Sequence, residues 1–320
     1  MNPYVFFVGC PRSGTTLLRR IADAHPELAV IRELHWLPRW WEQRVGVEPD
    51  GTVTNELAHQ LLAHPRFARL EIDAEGVVEL VDNGRPKHYA RFVTELFDLY
   101  GRAKQKRLVG EKTPKYVRHL PTLHELWPHA KIVHLIRDGH DVALSLLDWS
   151  KARKNVGRFP TWNEDSVMTA AFFWEWNVRL GREAARAIPP EGYYELRYEA
   201  LVGDAEHECR QLCDFLALSY NPSMLRFHEG RRKSEPGLTP KKAWQPITAG
   251  LRNWRTQMMA GDIARFEAAA GGLLDELGYE RGAAVGGEQV ALAARHRHVF
   301  AADAHARRLA VPKAWERGAA

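Results

Sequence analysis

The first stretch of this sequence that could do chemistry is the run YVFFVGCPRSGTTLLR near the N-terminus. An apolar segment of strand length ends at Gly9, turn-forming residues follow, and a helical pattern begins at Thr15. Gly9 and Gly14 allow a tight turn whose backbone N–H groups point inward, and the first turn of a helix adds unpaired donors. Arg12 supplies a formal positive charge. The pattern predicts a loop that binds a phosphate group.

Polar side chains that could bind or activate a substrate follow three more strand-like runs. Glu33 and His35 come soon after the loop, and a carboxylate or imidazole beside a nucleotide site is a candidate general base. Lys112 ends the short run LVGEK, and Arg137 directly follows the apolar run AKIVHLI, with Ser145 about two turns into the next helix. Because ligands of open α/β sheets bind at the carboxyl ends of the strands, these side chains are expected at one edge.

Taken alone, each of these charged side chains also has a structural interpretation. Glu33 could pair with a nearby arginine, and Lys112 could be an ordinary solvated lysine. Asp138 could hold Arg137 in a salt bridge. The residues by themselves leave these alternatives open.

The glycine-rich loop departs from the Walker A pattern GxxxxGK[ST], because Gly14 is followed by two threonines instead of a lysine. The missing lysine argues against an ordinary ATPase or GTPase. The string CPRSGTTLL resembles the 5′-phosphosulfate loop of sulfotransferases that use 3′-phosphoadenosine 5′-phosphosulfate (PAPS), particularly the tyrosylprotein, carbohydrate and bacterial branches. The resemblance implies that PAPS is bound by Arg12, Ser13, Gly14, Thr15 and Thr16.

The resemblance extends to the residues that would perform the transfer. The run PRSGTTLLRRIADAHPELAVIRELHWLP is similar to the opening of tyrosylprotein sulfotransferases, and Glu33 falls where that family has its catalytic glutamate. His35 falls where the family has an arginine, so it is a second candidate for the base. GEKTP resembles a turn whose lysine, here Lys112, contacts the sulfuryl group. Arg12 would neutralise charge on the transferring group and on the leaving phosphate.

A second group of residues resembles the family's site for the 3′-phosphate of PAPS. RDGHDVALS supplies Arg137 and Ser145, whose planar fork and hydroxyl suit a phosphate dianion. The family's further arginine is replaced here by Trp149. YEALV resembles the family's YExLV element, so Tyr198 lies near the nucleotide or else packs in the core. Arg252, ahead of a Trp-Arg pair, corresponds to a basic loop over the 3′-phosphate.

The elements that must position these residues alternate between strands and helices. We predict one α/β domain over residues 1–280, with a P-loop-like three-layer fold in which helices cover both faces of a central parallel sheet. Residues 281–320 form a helical tail that packs on the body or contacts another subunit in a homo-oligomer. Inserted helices before residue 106 are expected to cover the acceptor pocket. Trp36, Trp40 and Trp41 line that pocket or pack in the core.

Composition narrows the class of protein. The 320 residues are 45% hydrophobic, which is enough for a sizeable core, and the net charge of +5 suits an anionic ligand without indicating nucleic acid. Three cysteines give no disulfide framework, and buried thiols are expected. No signal peptide and no run of about 18 apolar residues is present, so we expect a soluble cytoplasmic protein without a transmembrane segment.

The predicted function is transfer of a sulfuryl group from PAPS to an acceptor hydroxyl or amine, with a glutamate as base. The acceptor is a small molecule, a lipid or a glycan, and no metal is expected because fixed cations take the place of Mg²⁺. Two alternatives remain open at this point, a small-molecule kinase of the P-loop type and a non-catalytic nucleotide-binding protein.

Overall fold

Five parallel strands form the central sheet of the computed structural model, which describes residues 1–82, 87–229, 246–248 and 250–316. Their order across the sheet is β2-β3-β1-β4-β5. The strands are β1 (Val5–Gly9), β2 (Leu28–Arg32), β3 (Leu108–Lys112), β4 (Lys131–Ile136) and β5 (Tyr193–Arg197). The three central strands are buried on both faces, as parallel strands covered by helices are. The predicted central parallel sheet is confirmed.

Helices cover both faces of this sheet. They are α1 (Thr15–Asp23), α2 (Leu37–Glu42), α3 (Asn55–Ala63), α4 (Ala74–Asp82), α5 (Tyr89–Lys104), α6 (Leu120–Leu126), α7 (Gly139–Leu147), α8 (Ser166–Ala185), α9 (Tyr198–Gly203), α10 (Ala205–Phe215), α11 (Trp254–Gln257), α12 (Ala260–Leu277), α13 (Gly287–Ala306) and α14 (Lys313–Glu316). Phe6 and Val8 of β1 face the core beneath α3 and α5, whereas Val5 and Phe7 face α1 and α10. This alternation produces the predicted three-layer fold.

The C-terminal helix α13 packs on the body of the protein. Phe300 stacks on Phe159 with 3.7 Å between ring centroids, and Trp176 lies at the edge of the same ring. These residues belong to one buried cluster that also includes parts of α8 and α12. The tail therefore shares a core with the α/β domain, while its predicted role in a homo-oligomer stays a prediction.

The carboxyl ends of all five strands meet at one edge of the sheet. Gly9, Arg32, Lys112, Ile136 and Arg197 are the last residues of the strands, and the predicted site residues lie at these ends or just after them. Most of the predicted basic loop between residues 229 and 255 lies outside the described residues. None of the described helices is long and apolar enough to cross a membrane. The cytoplasmic location stays a prediction.

Candidate active site

A cleft of about 1670 Å³ opens at this edge of the sheet. Ten of the twelve residues predicted from the sequence line it: Arg12, Gly14, Thr15, Thr16, Glu33, His35, Arg137, Ser145, Tyr198 and Arg252. The other two, Ser13 and Lys112, are buried behind its surface. The structure thus brings residues from five separate segments of the chain to one place.

The glycine-rich loop has the conformation that a phosphate-binding turn requires. Gly14 has a φ of 97°, and a Cβ on it would lie 2.4 Å from the ring of Tyr198, so only glycine fits. Helix α1 begins directly after Gly14, which directs the free N–H groups of its first turn towards the cleft. The hydroxyl of Ser13 is buried without a hydrogen-bond partner in the part of the chain that is described. This loop offers donors to an anion.

Glu33 and Lys112 form an ion pair at the end of the sheet. The Nζ of Lys112 donates to Oε1 of Glu33 at 2.6 Å, and Nε2 of His35 lies 3.5 Å from Oε2 of the same carboxylate. Burial acts to raise the pKa of Glu33, but the charge and hydrogen bond of Lys112, together with the charges of Arg69 and Arg66, outweigh it, so the pKa is lowered. Burial lowers the pKa of Lys112, and Glu33 partly offsets that effect. Glu33 is therefore ionised at neutral pH and can accept a proton.

Three of the predicted site residues have a strained backbone conformation. Arg12, Glu33 and His35 have φ values of 80°, 43° and 68°, in the left-handed region that residues other than glycine seldom occupy. The carbonyl of Glu33 accepts hydrogen bonds from Arg66 and Arg69, and its N–H donates to the carbonyl of Lys112 at 2.8 Å. Such strain persists where the surroundings hold it in place. Arg66 and Arg69 come from a segment in which sequence analysis found no chemistry.

Glu111 is a buried carboxyl group that also holds this turn. It is 0% exposed, and its Oε1 accepts from the N–H of Leu34 at 2.9 Å and from the hydroxyl of Thr113. Oε2 is buried and has no partner among the described residues. Burial raises the pKa of Glu111 to about 8. The carboxyl group thus links β3 to the residue that separates Glu33 from His35.

We expect the stability of the protein to depend on pH through Glu111. A carboxyl group whose pKa rises from about 4.3 in the unfolded chain loses its contribution to stability as the pH increases towards the folded value. Because the folded pKa is about 8, wild-type protein should lose stability between about pH 5 and pH 8 relative to Glu111→Gln. Thermal denaturation across this range should show the melting temperatures diverging by at least about 2 °C. Parallel curves would contradict the assignment.

Three arginine side chains lie close to one another near the glycine-rich loop. Arg137 donates to Asp141 at 2.9 Å and lies over the ring of Tyr198, with 4.3 Å between its guanidinium carbon and the ring centroid. The Nε of Arg12 donates to the hydroxyl of Ser145 at 3.1 Å. Burial, followed by the charges of Arg252 and Arg137, lowers the pKa of Arg12. Three guanidinium groups and a hydroxyl therefore surround one part of the cleft.

The hydrogen bonds around these arginines show whether Asp138 forms the salt bridge with Arg137 that the sequence allowed. Asp138 does not bond Arg137: its carboxylate caps α7 and accepts from Nε1 of Trp254 at 2.9 Å. Because Trp254 is the first residue of α11, that hydrogen bond anchors α11 to α7. Arg252, two residues before α11, forms an ion pair with Asp148, with 2.6 Å between its guanidinium nitrogen and the carboxylate. Trp149, which replaces an arginine of the resembling family, lies 5.4 Å from the guanidinium carbon of Arg12. The segment carrying Arg252 is thus fixed against α7.

The sequence model described as "Sulfotransferase family" matches residues 3–222. The chain belongs to the sulfotransferase family. It is 26% identical over 226 residues to a putative protein-tyrosine sulfotransferase of Caenorhabditis briggsae, which covers 70% of this chain and 69% of that protein. The nodulation protein NoeE of Sinorhizobium fredii is 27% identical over 323 residues, covering 92% and 72%. For the Drosophila melanogaster protein-tyrosine sulfotransferase the match is 24% and spans 52% of that protein.

Solved sulfotransferase structures share the fold. The sulfotransferase domain from the curacin biosynthetic pathway has a TM-score of 0.59 at 19% identity, covering 87% of this chain and 98% of that one. The domain from the Synechococcus PCC 7002 olefin synthase gives 0.55 at 22% identity, covering 87% and 94%. The predicted P-loop-like fold and sulfotransferase family, whose donor is PAPS, are confirmed. The roles of individual residues stay predictions.

Several features of this sulfotransferase site were missed or left open by the sequence. Trp36 is 2% exposed in the core, and none of the three early tryptophans lines the cleft, so the core interpretation holds. The inserted helical region instead contributes His64 and Arg66. Lys115 and Arg118, only a few residues after GEKTP, also line the cleft. In the sequence, only their position shortly after Lys112 indicated that these two residues could reach the site.

Proposed function

We propose that this protein transfers the sulfuryl group of PAPS to the hydroxyl or amine of an acceptor, with Glu33 as general base. The observation that supports the proposal most strongly is the ion pair between Glu33 and Lys112, 2.6 Å long, beside the phosphate loop. A base and a cation in contact at one point of a cleft suit a reaction that moves a proton while negative charge shifts to a leaving group.

The residues around the loop fit the donor's two phosphate groups. The unpartnered hydroxyl of Ser13 and the N–H groups at the start of α1 would hold the 5′-phosphosulfate. The Nε of Arg137 is also buried without a partner among the described residues, and Ser145 lies within reach of Arg12. Arg137, Ser145 and Arg252 would hold the 3′-phosphate, whose charge would relieve repulsion between the arginines.

Glu33 would act on the acceptor while Lys112 acts on the group being transferred. PAPS supplies the sulfuryl group, whose bond to the 5′-phosphate breaks as the bond to the acceptor oxygen forms. Glu33 accepts the acceptor's proton, while Lys112 and Arg12 stabilise charge on the transferring group and on the leaving phosphate. When Lys112 turns its hydrogen bonds from Glu33 to the sulfuryl oxygens, the pKa of Glu33 rises, since that lysine lowers it more than Arg69 and Arg66 do. The shared lysine thus couples donor binding to basicity.

Calorimetric titration with 3′-phosphoadenosine 5′-phosphate (PAP), ADP and ATP·Mg²⁺ tests the donor assignment. We expect PAP to bind at least about tenfold more tightly than ADP, since a phosphate bound by arginine contributes charge-assisted hydrogen bonds. Preference for ATP·Mg²⁺ would contradict the proposal and favour phosphoryl transfer. Affinity for ADP equal to or greater than that for PAP would contradict the expected preference for the nucleotide with a 3′-phosphate.

A further inference from the structure

One wall of the cleft carries far more positive charge than the donor site requires. Among the residues that the structure describes, eleven lysines and arginines line the cleft, against two carboxylates, Glu33 and Glu42. Both carboxylates already have partners, in Lys112 and His119. Three of the arginines belong to the proposed donor site and Arg307 pairs with Asp303, which leaves seven of these cations without a carboxylate partner among the described residues. Uncompensated charge of one sign in a cleft attracts ligands of the opposite sign.

Lys115, Arg118 and Arg158, here called the cation cluster, are three of these cations. Burial and the charges of Arg118 and Arg158 lower the pKa of Lys115 to about 8. Nζ of Lys115 donates to Oδ1 of Asn155 at 2.6 Å, which is a neutral partner. Within the described ranges, no carboxylate lies within 4.0 Å of any cation in the cluster. Such like charges are costly to keep together unless an anion joins them.

Arg118 is held in a way that presents its donors to a ligand. Its guanidinium carbon lies 4.4 Å from the ring centroid of Trp176, and burial lowers its pKa to about 10. Its Nε is buried without a hydrogen-bond partner in the described part of the chain. A guanidinium group fixed on an aromatic face keeps its in-plane N–H groups free for a planar or tetrahedral anion.

The C-terminal tail completes this wall. Arg307 and Arg308 line the cleft, and Arg307 donates to the carbonyl of Arg158. Nε1 of Trp176 donates to the carbonyl of Ala310 at 2.7 Å, so this part of the tail contacts the same tryptophan on whose ring Arg118 lies. These tail residues lie beyond residue 222, where the match to the family model ends. Lys115, Arg118 and Arg158 lie within the matched segment, and the tail adds Arg307 and Arg308 to the same wall.

We infer that the cation cluster binds an anionic group of the acceptor, a carboxylate, sulfate or phosphate, close to the hydroxyl or amine that is modified. The inference rests on the proposed function. Lys115 and the proposed base Glu33 line the same cleft. The phosphates of the donor are accounted for by the loop, Arg137, Ser145 and Arg252, none of which belongs to the cluster. The tail thereby helps to select the acceptor.

Equilibrium binding of small anionic probes to the PAP-saturated protein tests this site and does not require the acceptor to be identified. The probes share one scaffold: galactose, galacturonate, galactose 6-sulfate and galactose 6-phosphate, with inorganic sulfate as a probe free of any scaffold. The variants are Arg118→Met and Lys115→Met, and the matched control is Arg295→Met, an exposed residue of α13 that does not line the cleft. Thermal denaturation of each variant checks that it is folded.

At least one anionic probe should bind about tenfold or more tightly than galactose, because one charge-assisted hydrogen bond is worth about that factor. Which anion binds best identifies the group. Arg118→Met and Lys115→Met should remove this preference and leave the affinity for PAP unchanged, while Arg295→Met keeps both. If no anion binds better than galactose, the inference is wrong. If both variants weaken PAP binding equally, the cluster belongs to the donor site. If PAP itself does not bind, the donor assignment fails, and the same titrations on protein alone still test the cluster.

Discussion

Replacing Glu33 with glutamine is expected to lower the turnover number for sulfuryl transfer by about 10²- to 10⁴-fold, the usual contribution of a general base. The amide can still accept the hydrogen bond from Lys112, which is 2.6 Å from Oε1 in the wild-type protein, but it cannot take a proton from the acceptor. The affinity for PAP should change little, because Glu33 is not among the residues proposed to bind its phosphates. Steady-state kinetics and calorimetry on the same preparation measure the two quantities.

Two further variants make this result interpretable. Glu42→Gln is the matched control, since it is the other carboxylate of the cleft and bonds His119 instead of Lys112. It should keep wild-type turnover. His35→Gln distinguishes the two candidate bases, whose side chains are 3.5 Å apart. Unchanged turnover in Glu33→Gln together with its loss in His35→Gln would transfer the role of base to the histidine.

The parts of the site that could be predicted from sequence are those in which chemistry and local structure coincide. The glycine-rich loop places its glycines, its arginine and the start of a helix within a few residues of a buried strand. The same holds for Lys112 at the end of β3 and Arg137 after β4. Apolar strands and polar turns are short-range patterns, and parallel topology then brings the turns to one edge.

The parts that could not be predicted depend on contacts between distant residues. Arg137 was weighed against its neighbour Asp138, yet it bonds Asp141, one helical turn away, because Asp138 is used by the backbone of α7 and by Trp254. Glu111 appeared as part of a charged turn, whereas its fully buried position becomes clear only when the 33–35 turn folds over it. No local sequence pattern predicts such contacts between residues that are far apart in the chain.

The residues proposed to recognise the acceptor were even harder to predict from the sequence. The cation cluster joins residues that are three and forty positions apart, and the tail contacts Arg158 through Arg307, which is 149 positions further along the chain. Each of these cations taken separately looks like an ordinary surface charge. Only the fold shows that they share a wall with few carboxylates, next to Lys112 and Glu33.

Removing the guanidinium group of Arg137 is expected to weaken PAP binding by roughly 10- to 150-fold, the value of a hydrogen bond to a charged group. AMP differs from PAP only in lacking the 3′-phosphate, so its affinity should change little in Arg137→Ala. The ratio of the two affinities isolates the contact to the 3′-phosphate from any general loss of stability. Calorimetric titration of wild type and variant with both nucleotides measures this ratio.

Arg137 also has structural contacts, and a second substitution separates them from binding. The guanidinium group packs on Tyr198 and pairs with Asp141, which keeps a further hydrogen bond from the N–H of Trp254. Arg137→Met preserves the packing on the ring but removes the charge and the donors, so it should lose the preference for PAP as fully as the alanine variant. If the methionine variant kept the preference, the 3′-phosphate would be bound elsewhere. Arg12 would then be the residue to replace next, because its guanidinium group already donates to Ser145.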